Sequence, residues 1–257
     1  MSSISPDIVT DGLVLCIDPF SKRCNSSSGG TTLNNLALKG TSASVINGVT
    51  SDNIVSLDGV DEYIKVNNSV TSATLSPEVA TFSIWFKPQN DLAGSFNASS
   101  LISRGNYNTS GGFFIHQYYS SSGACSILPV FSYSTTSSYS FQGASNTTLA
   151  SGFDEWANVT VSVDDTIKLY INGVLEATGA RTVSTIIYGD GDINTNGDTN
   201  LIFLSSLSYA PTLDQGAEGY WRPYDGDFGS GMMYNRVLSA SEVAQNYNAM
   251  KSRFGIT

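Results

Sequence analysis

The stretch Asn158-Val-Thr-Val-Ser-Val-Asp-Asp-Thr-Ile-Lys-Leu-Tyr-Ile-Asn-Gly-Val-Leu175 decides the fold class. Val159, Val161 and Val163 alternate with hydroxyl-bearing residues, the period-two signature of a strand with one apolar face. After Asp164-Asp165 the alternation resumes, with Ile167, Leu169 and Ile171 on one side. Asn172-Gly173 then supplies a type I′ hairpin turn, because both residues tolerate the positive φ that turn requires. Three successive strands joined by tight turns make an antiparallel meander.

The same period extends outward. In Thr81-Phe-Ser-Ile-Trp-Phe-Lys87, Phe82, Ile84 and Phe86 share one face, and Ser83, Trp85 and Lys87 the other. Further strands are expected at 13–17, 54–57, 63–66, 101–104, 113–118, 126–132, 201–204 and 228–234. The core is expected to contain Phe82, Ile84, Phe86 and the aligned residues of 159–171. The hydroxyl faces are expected to be solvated, so that Thr160→Asp should be nearly silent.

One helix is expected at the end. Ser239-Ala-Ser-Glu242 is a capping box, Val243, Tyr247 and Met250 form an apolar stripe, and Gly255 suits the position past the helix. Such a helix is expected to pack against the edge of a sandwich. There is no linker, repeat or composition break, so residues 1–257 read as a single domain. The fold class is all-β: a two-sheet antiparallel jelly-roll sandwich with one short C-terminal helix.

Composition excludes several functions. Of the 257 residues 40% are hydrophobic and only 13% charged, about half the ~25% usual in soluble domains. The net charge of −10 comes from 22 acidic and 12 basic side chains, and the basic ones form no stripe. Nucleic-acid binding is therefore not expected. No run approaches the ~20 apolar residues of a membrane helix, so membrane insertion is not expected either. The start, Met1-Ser-Ser-Ile-Ser-Pro-Asp7, lacks a secretion signal, which points to synthesis and assembly in a cytoplasm. Cys16, Cys24 and Cys125 form neither a metal motif nor an even disulfide set. Cys16 reads as a buried thiol, with a Cys16–Cys24 bridge open in an oxidising compartment.

Several segments in order resemble the laminin-G-like, concanavalin A-like lectin/glucanase family. They are Leu57-Asp-Gly-Val-Asp-Glu-Tyr-Ile64, Thr81-Phe-Ser-Ile-Trp-Phe-Lys-Pro88, Leu101-Ile-Ser-Arg-Gly105, Trp156 followed by Lys168-Leu-Tyr-Ile-Asn-Gly-Val-Leu175, and Met233-Tyr-Asn-Arg-Val-Leu-Ser239 with Glu242. The ending from Tyr234 to Ile256 is similar to the variant found in tailed-phage virion proteins. The resemblance implies two curved sheets that bind glycans or proteins, often with calcium. A minority of such proteins hydrolyse polysaccharides.

On this reading the protein is a non-enzymatic virion structural component (capsid decoration, fibre or tail-associated). It resides on the virion, held in many copies or as a homo-oligomer. Its expected partners are other virion proteins and host surface glycans. The alternatives are a free lectin or adhesin module, or a polysaccharide hydrolase.

Hydrolysis needs two facing carboxylates ~5–10 Å apart, and the hydrolytic relatives carry a Glu-x-Asp-x-x-Glu strand that this sequence lacks. Asp154 and Glu155 are adjacent, Asp164-Asp165 lie in a turn, and His116, the single histidine, reads as a structural strand residue.

Structural calcium is the expected cofactor. Asp192, Asn194, Asn196 and Gly197 match the first positions of a calcium loop, and Asp198 continues the series. Phe203 stands where a closing Glu belongs, and ordinary turn chemistry explains the same residues. The resemblance adds Asp227, with backbone carbonyls near Asp18, as a second calcium position. Exposed aromatics are the other recognition signal, and Tyr220-Trp-Arg-Pro-Tyr224 is their densest cluster. Tyr220, Trp221 and Tyr224 are candidates for glycan or subunit contact. The Tyr247 face of the helix is a further subunit contact, and the polar run 132–148 a host contact.

Overall fold

A computed structural model describes residues 7–25, 29–37, 41–51, 53–66, 79–89, 98–106, 111–119, 125–132, 147–149, 154–181, 201–204, 206–207, 220–221 and 224–257. The strands along them are β1 Leu13–Ile17, β2 Thr32–Asn34, β3 Ser42–Ile46, β4 Val55–Asp58, β5 Tyr63–Val66, β6 Ala80–Pro88, β7 Ala98–Asn106, β8 Gly111–Tyr119 and β9 Cys125–Ser132. They continue as β10 Thr147–Leu149, β11 Ala157–Val163, β12 Thr166–Ile171, β13 Val174–Ala180, β14 Leu201–Phe203, β15 Ser206–Leu207, β16 Tyr220–Trp221 and β17 Asp225–Tyr234. Helix α1, Ala240–Met250, and a 3-10 turn, Lys251–Phe254, follow.

Two antiparallel sheets face each other. The first has seven strands in the order β1-β17-β6-β11-β12-β13, with β4 also on β17, and the second has eight in the order β10-β9-β8-β7-β14-β5-β3-β2. β15 and β16 pair as a separate two-stranded ribbon that lies against β7. Residues 158–175 supply the middle of the first sheet. Val161 lies opposite Phe82 on one side and Leu169 on the other, and Val159 opposite Ile84 and Ile171. Residues in register share a face, so the aligned apolar residues of β6, β11 and β12 all point into the cluster between the sheets.

The sheets interlock through aromatic rings. Phe82 meets Phe113 at a centroid distance of 4.5 Å, and Phe203 meets Phe228 at 5.4 Å. A Cβ on Gly231 would lie 2.6 Å from the Phe203 ring, so glycine is what lets Phe203 seat on β17.

The middle of the outer face of the first sheet is not solvated. Trp85, Tyr170, Met232 and Tyr234 form a second apolar cluster with Leu238, Val243, Met250 and Phe254. The expected stripe of α1 therefore closes on a sheet face and not on a sandwich edge. Beneath it the hydroxyl-bearing residues are buried too, with Thr160 and Ser83 each 2% exposed. Thr160 Oγ1 donates to Ser83 Oγ at 2.9 Å, and Asn158 Nδ2 donates to Ser83 Oγ at 3.1 Å. The solvated-face expectation for Thr160 is corrected: a helix distant in sequence covers it.

The helix start follows the capping box. Ser239 Oγ accepts from the Glu242 N–H at 3.3 Å, and Glu242 Oε2 accepts from the Ser239 N–H at 2.8 Å. Arg236 adds two bonds to the same carboxylate, at 2.7 and 3.1 Å. Asn246 ties α1 both to the segment before β1 and to the end of β17. Its Oδ1 accepts from the Val9 N–H at 2.8 Å, and its Nδ2 donates to the Tyr234 hydroxyl at 3.0 Å. Gly255, at φ +73°, ends the 3-10 turn. No helix among the described residues is long and apolar enough to cross a membrane.

Candidate functional site

The outer layer leaves an open cleft of about 420 Å³ where the approach to β11, the β12–β13 turn and the chain end meet. Asp154, Glu155 and Trp156 lead into β11 and form one wall; Asn172, Tyr247 and Phe254 form the others. Each wall has a local cause. Asp154 sits at φ +63°, donates its N–H to the Pro88 carbonyl at 2.8 Å, and places its carboxylate 2.8 Å from Lys87 Nζ. The β12–β13 turn takes positive φ at Asn172 and Gly173, as a type I′ turn does. A Cβ on Gly173 would lie 2.9 Å from Tyr247, so the glycine also admits the helix. Phe254 lodges against Gly229, where a Cβ would collide with its ring.

Aromatic rings build the floor. Trp85 is stacked with Phe254 at 4.3 Å and with Tyr247 at 5.4 Å, and Trp156 leans on Phe254 at 4.7 Å. Trp156 and Tyr247 remain partly exposed. Around these rings stand polar groups that the fold leaves unused. Asn172 Oδ1 accepts from the Asn158 N–H at 2.9 Å, which leaves its NH₂ group to offer. The Trp156 indole N–H, the Tyr247 hydroxyl and the Glu155 carboxylate have no hydrogen-bond partner among the described residues. Flat apolar faces bordered by free donors and acceptors suit a ligand with both apolar and hydroxyl surfaces.

A second cleft, about 430 Å³, lies under the other side of α1 between Asp7, Thr10, Asp18 and Arg253. Two of its charges already pair, since Arg253 donates to the Asp18 carboxylate at 2.5 Å. Burial pushes the Asp18 carboxyl up, and Arg253 opposes that shift.

The residues singled out by sequence fall in several places. Tyr224 is fully buried and packs edge-on to Phe86 at 6.3 Å, so it belongs to the core and presents no platform. Tyr220 and Trp221 form β16, in register with Leu207 and Ser206; their side chains lie outside the described residues. Asp192, Asn194, Asn196 and Asp198 also lie outside them, as does most of 132–148; only Ser132, at the end of β9, and Thr147 and Thr148, in β10, are described.

Asp227 is 6% exposed on the outer face of β17, where its Oδ1 accepts from the Ser56 hydroxyl at 2.6 Å. Lys87 is its register partner. One of the Asp227 carboxylate oxygens is thus already engaged by a hydroxyl donor. Among the described residues no group of three or more His, Cys, Asp or Glu side chains is placed to hold a metal.

His116 does have a hydroxyl neighbour that the sequence did not reveal: Ser100 Oγ lies 2.9 Å from its Nδ1. Both are buried, and the ring stacks on Phe114 at 5.4 Å. Cys16 and Cys24 are buried free thiols, which burial pushes up to about 12 and about 11. Sequence reasoning missed the cleft because its walls come from four separate segments. The available signal was Trp156 among the family segments, together with Tyr247 four residues along the stripe from Val243.

The family profile of the concanavalin A-like lectin/glucanase superfamily (Laminin_G_3) matches residues 58–244. No curated protein sequence matches the chain. Among solved structures, the receptor-binding domain of botulinum neurotoxin D is similar at a TM-score of 0.61 and 16% identity, covering 94% of this chain and 53% of that one. A botulinum neurotoxin serotype D ligand-binding domain in complex with N-acetylneuraminic acid gives 0.61 and 17%, covering 93% and 51%. Trypanosoma rangeli sialidase gives 0.61 and 14%, covering 97% and 36%. The chain thus spans about half the length of those neurotoxin chains. At these identities the likeness is one of fold.

Proposed function

The chain belongs to the concanavalin A-like lectin/glucanase superfamily, and from that premise we propose that it is a non-enzymatic, glycan-binding adhesive module carried in many copies on a tailed-phage particle. The observation that carries the binding half is the cleft, where partly exposed Trp156 and Tyr247 stand beside unused polar groups. The particle half rests on the ending from Tyr234 to Ile256, which resembles the phage-virion variant of the fold. In the structure that ending completes the outer layer and supplies two walls of the cleft, from the helix and the 3-10 turn.

A binding role in place of hydrolysis is supported by the cleft acids. Asp154 and Glu155 are consecutive on one wall, and Asp154 is held by Lys87. A glycosidase flanks the scissile bond from two sides. Incubation with host polysaccharide preparations should therefore release no reducing sugar. Release abolished by one Asp or Glu substitution would make the protein a hydrolase.

Particle association is tested by quantifying the protein in purified virions against the host lysate. Stoichiometric recovery over several copies per particle is expected. Glycan binding without virion recovery would leave a free lectin. Calcium, the expected cofactor at residues 192–200, is tested by melting in millimolar calcium and in chelator. A native-state ligand at ~100-fold over Kd adds about 2.7 kcal/mol, and coincident curves would remove it.

A further inference from the structure

The charged groups of the cleft are all of one sign, and that selects among sugars. Asp154 and Glu155 are both exposed, and among the described residues the lining includes no lysine, arginine or histidine. The neighbouring cation, Lys87, is already engaged by Asp154 at 2.8 Å. The whole chain adds a net charge of −10. A ligand carboxylate entering here meets like charge with no counter-ion, and like-charge juxtaposition rejects a partner. An uncharged pyranose meets complementary groups. Its hydroxyls can donate to Glu155 and to the second oxygen of Asp154. The Asn172 NH₂ and the Trp156 N–H can donate to its oxygens, and its C–H face can lie on the Trp156 or Tyr247 ring. The volume, about 420 Å³, falls within the ~300–1,000 Å³ of small-ligand clefts.

Resting on the glycan-binding reading above, we infer that this cleft is the sugar site of the chain and that it takes a neutral hexopyranose and rejects sialylated glycans. Glu155 is the residue that sets this selectivity. Its carboxylate is exposed and makes no bond among the described residues, so its variants report on ligand.

The test is a glycan array presenting each oligosaccharide in an uncharged and a sialylated form, probed with the full chain. The strongest binder is then titrated against wild type, Glu155→Gln and Trp156→Ala by tryptophan fluorescence, with melting curves as the folding control. Uncharged forms should bind at least tenfold more tightly than their sialylated partners, about 1.4 kcal/mol. Glu155→Gln should weaken that binding about tenfold at an unchanged melting midpoint, and Trp156→Ala should abolish it. Preference for the sialylated forms, or binding that both variants leave intact, overturns the assignment while glycan binding stands. Silence across the array removes the glycan-binding reading itself, and this inference with it. Self-association lost in Trp156→Ala, without any glycan signal, gives the cleft to a second copy of the chain instead.

Discussion

Thr160 and Val161 are consecutive in β11, face opposite sides of one sheet, and neither meets water: Thr160 is 2% exposed and Val161 0%. Val161 packs in the apolar layer between Phe82 and Leu169. Thr160 sits in a closed polar set, its hydroxyl 2.9 Å from Ser83 Oγ and 3.2 Å from Asn158 Oδ1. A carboxylate at either position is buried without a cation, which costs several kcal/mol. Thr160→Asp and Val161→Asp should both lower the urea midpoint strongly. Thr160→Val, which only unpairs hydrogen-bonding neighbours, should cost about 1–3 kcal/mol. A wild-type midpoint for Thr160→Asp would mean that α1 does not cover this face in solution. Local alternation predicted which side of β11 each residue takes, and did so correctly. What covers that side is decided by residues more than 70 positions away, which no local window contains.

At the scale of elements, legibility followed length and periodicity. β5 and β1 run as the sequence pattern places them, and β6, β11 and β12 do so within one residue at each end, because a short apolar run or four or more residues of clear alternation marks a strand. β2 and β3 were not anticipated. Each carries one or two buried apolar residues, Leu33 in β2 and Ala43 and Val45 in β3, among Ser, Thr and Asn that also suit loops. The cleft was illegible for a related reason, since a strand entry, a turn, a helix and a 3-10 turn each contribute one wall.

The start of α1 was readable, and it carries a pH dependence. The Arg236 side chain, then the Ser239 N–H, hold the Glu242 carboxyl at about 2, below its ordinary 4.5. A depressed folded value means stability that is complete above the ordinary value and lost as pH falls toward 2. Wild type should therefore lose stability between about pH 4.5 and 2 more steeply than Glu242→Gln, as read from acid melting curves. Ser239→Ala should cost about 1 kcal/mol at neutral pH. Parallel acid profiles for wild type and Glu242→Gln would show that the box is not formed in solution.

At the scale of the molecule, three layers meet on one strand. Phe203 of the second sheet seats on Gly231 of β17, while Phe254 of the outer layer seats on Gly229, two residues earlier, across a break in the β17–β6 register. β17 also pairs with β1, β4 and β6, so displacing it disturbs the first sheet as a whole. This linkage predicts that the inner sandwich and the helical layer unfold together. Trp85 and Trp156, two of the three tryptophans, lie in the outer layer, so fluorescence follows mainly that layer, whereas far-UV circular dichroism follows mainly the strands. Gly231→Ala puts a methyl group against the Phe203 ring, where the ideal Cβ stands 2.6 Å away. Overpacking of this kind typically costs 1–3 kcal/mol. At about 2–4 °C per kcal/mol for a chain of this size, the melting midpoint should fall by roughly 2–12 °C. Both signals should move by the same amount, even though the substitution faces away from Trp85 and Trp156. A drop seen by circular dichroism with the fluorescence transition left in place would separate the layers. It would mean that the cleft walls hold their shape independently of the sandwich beneath them.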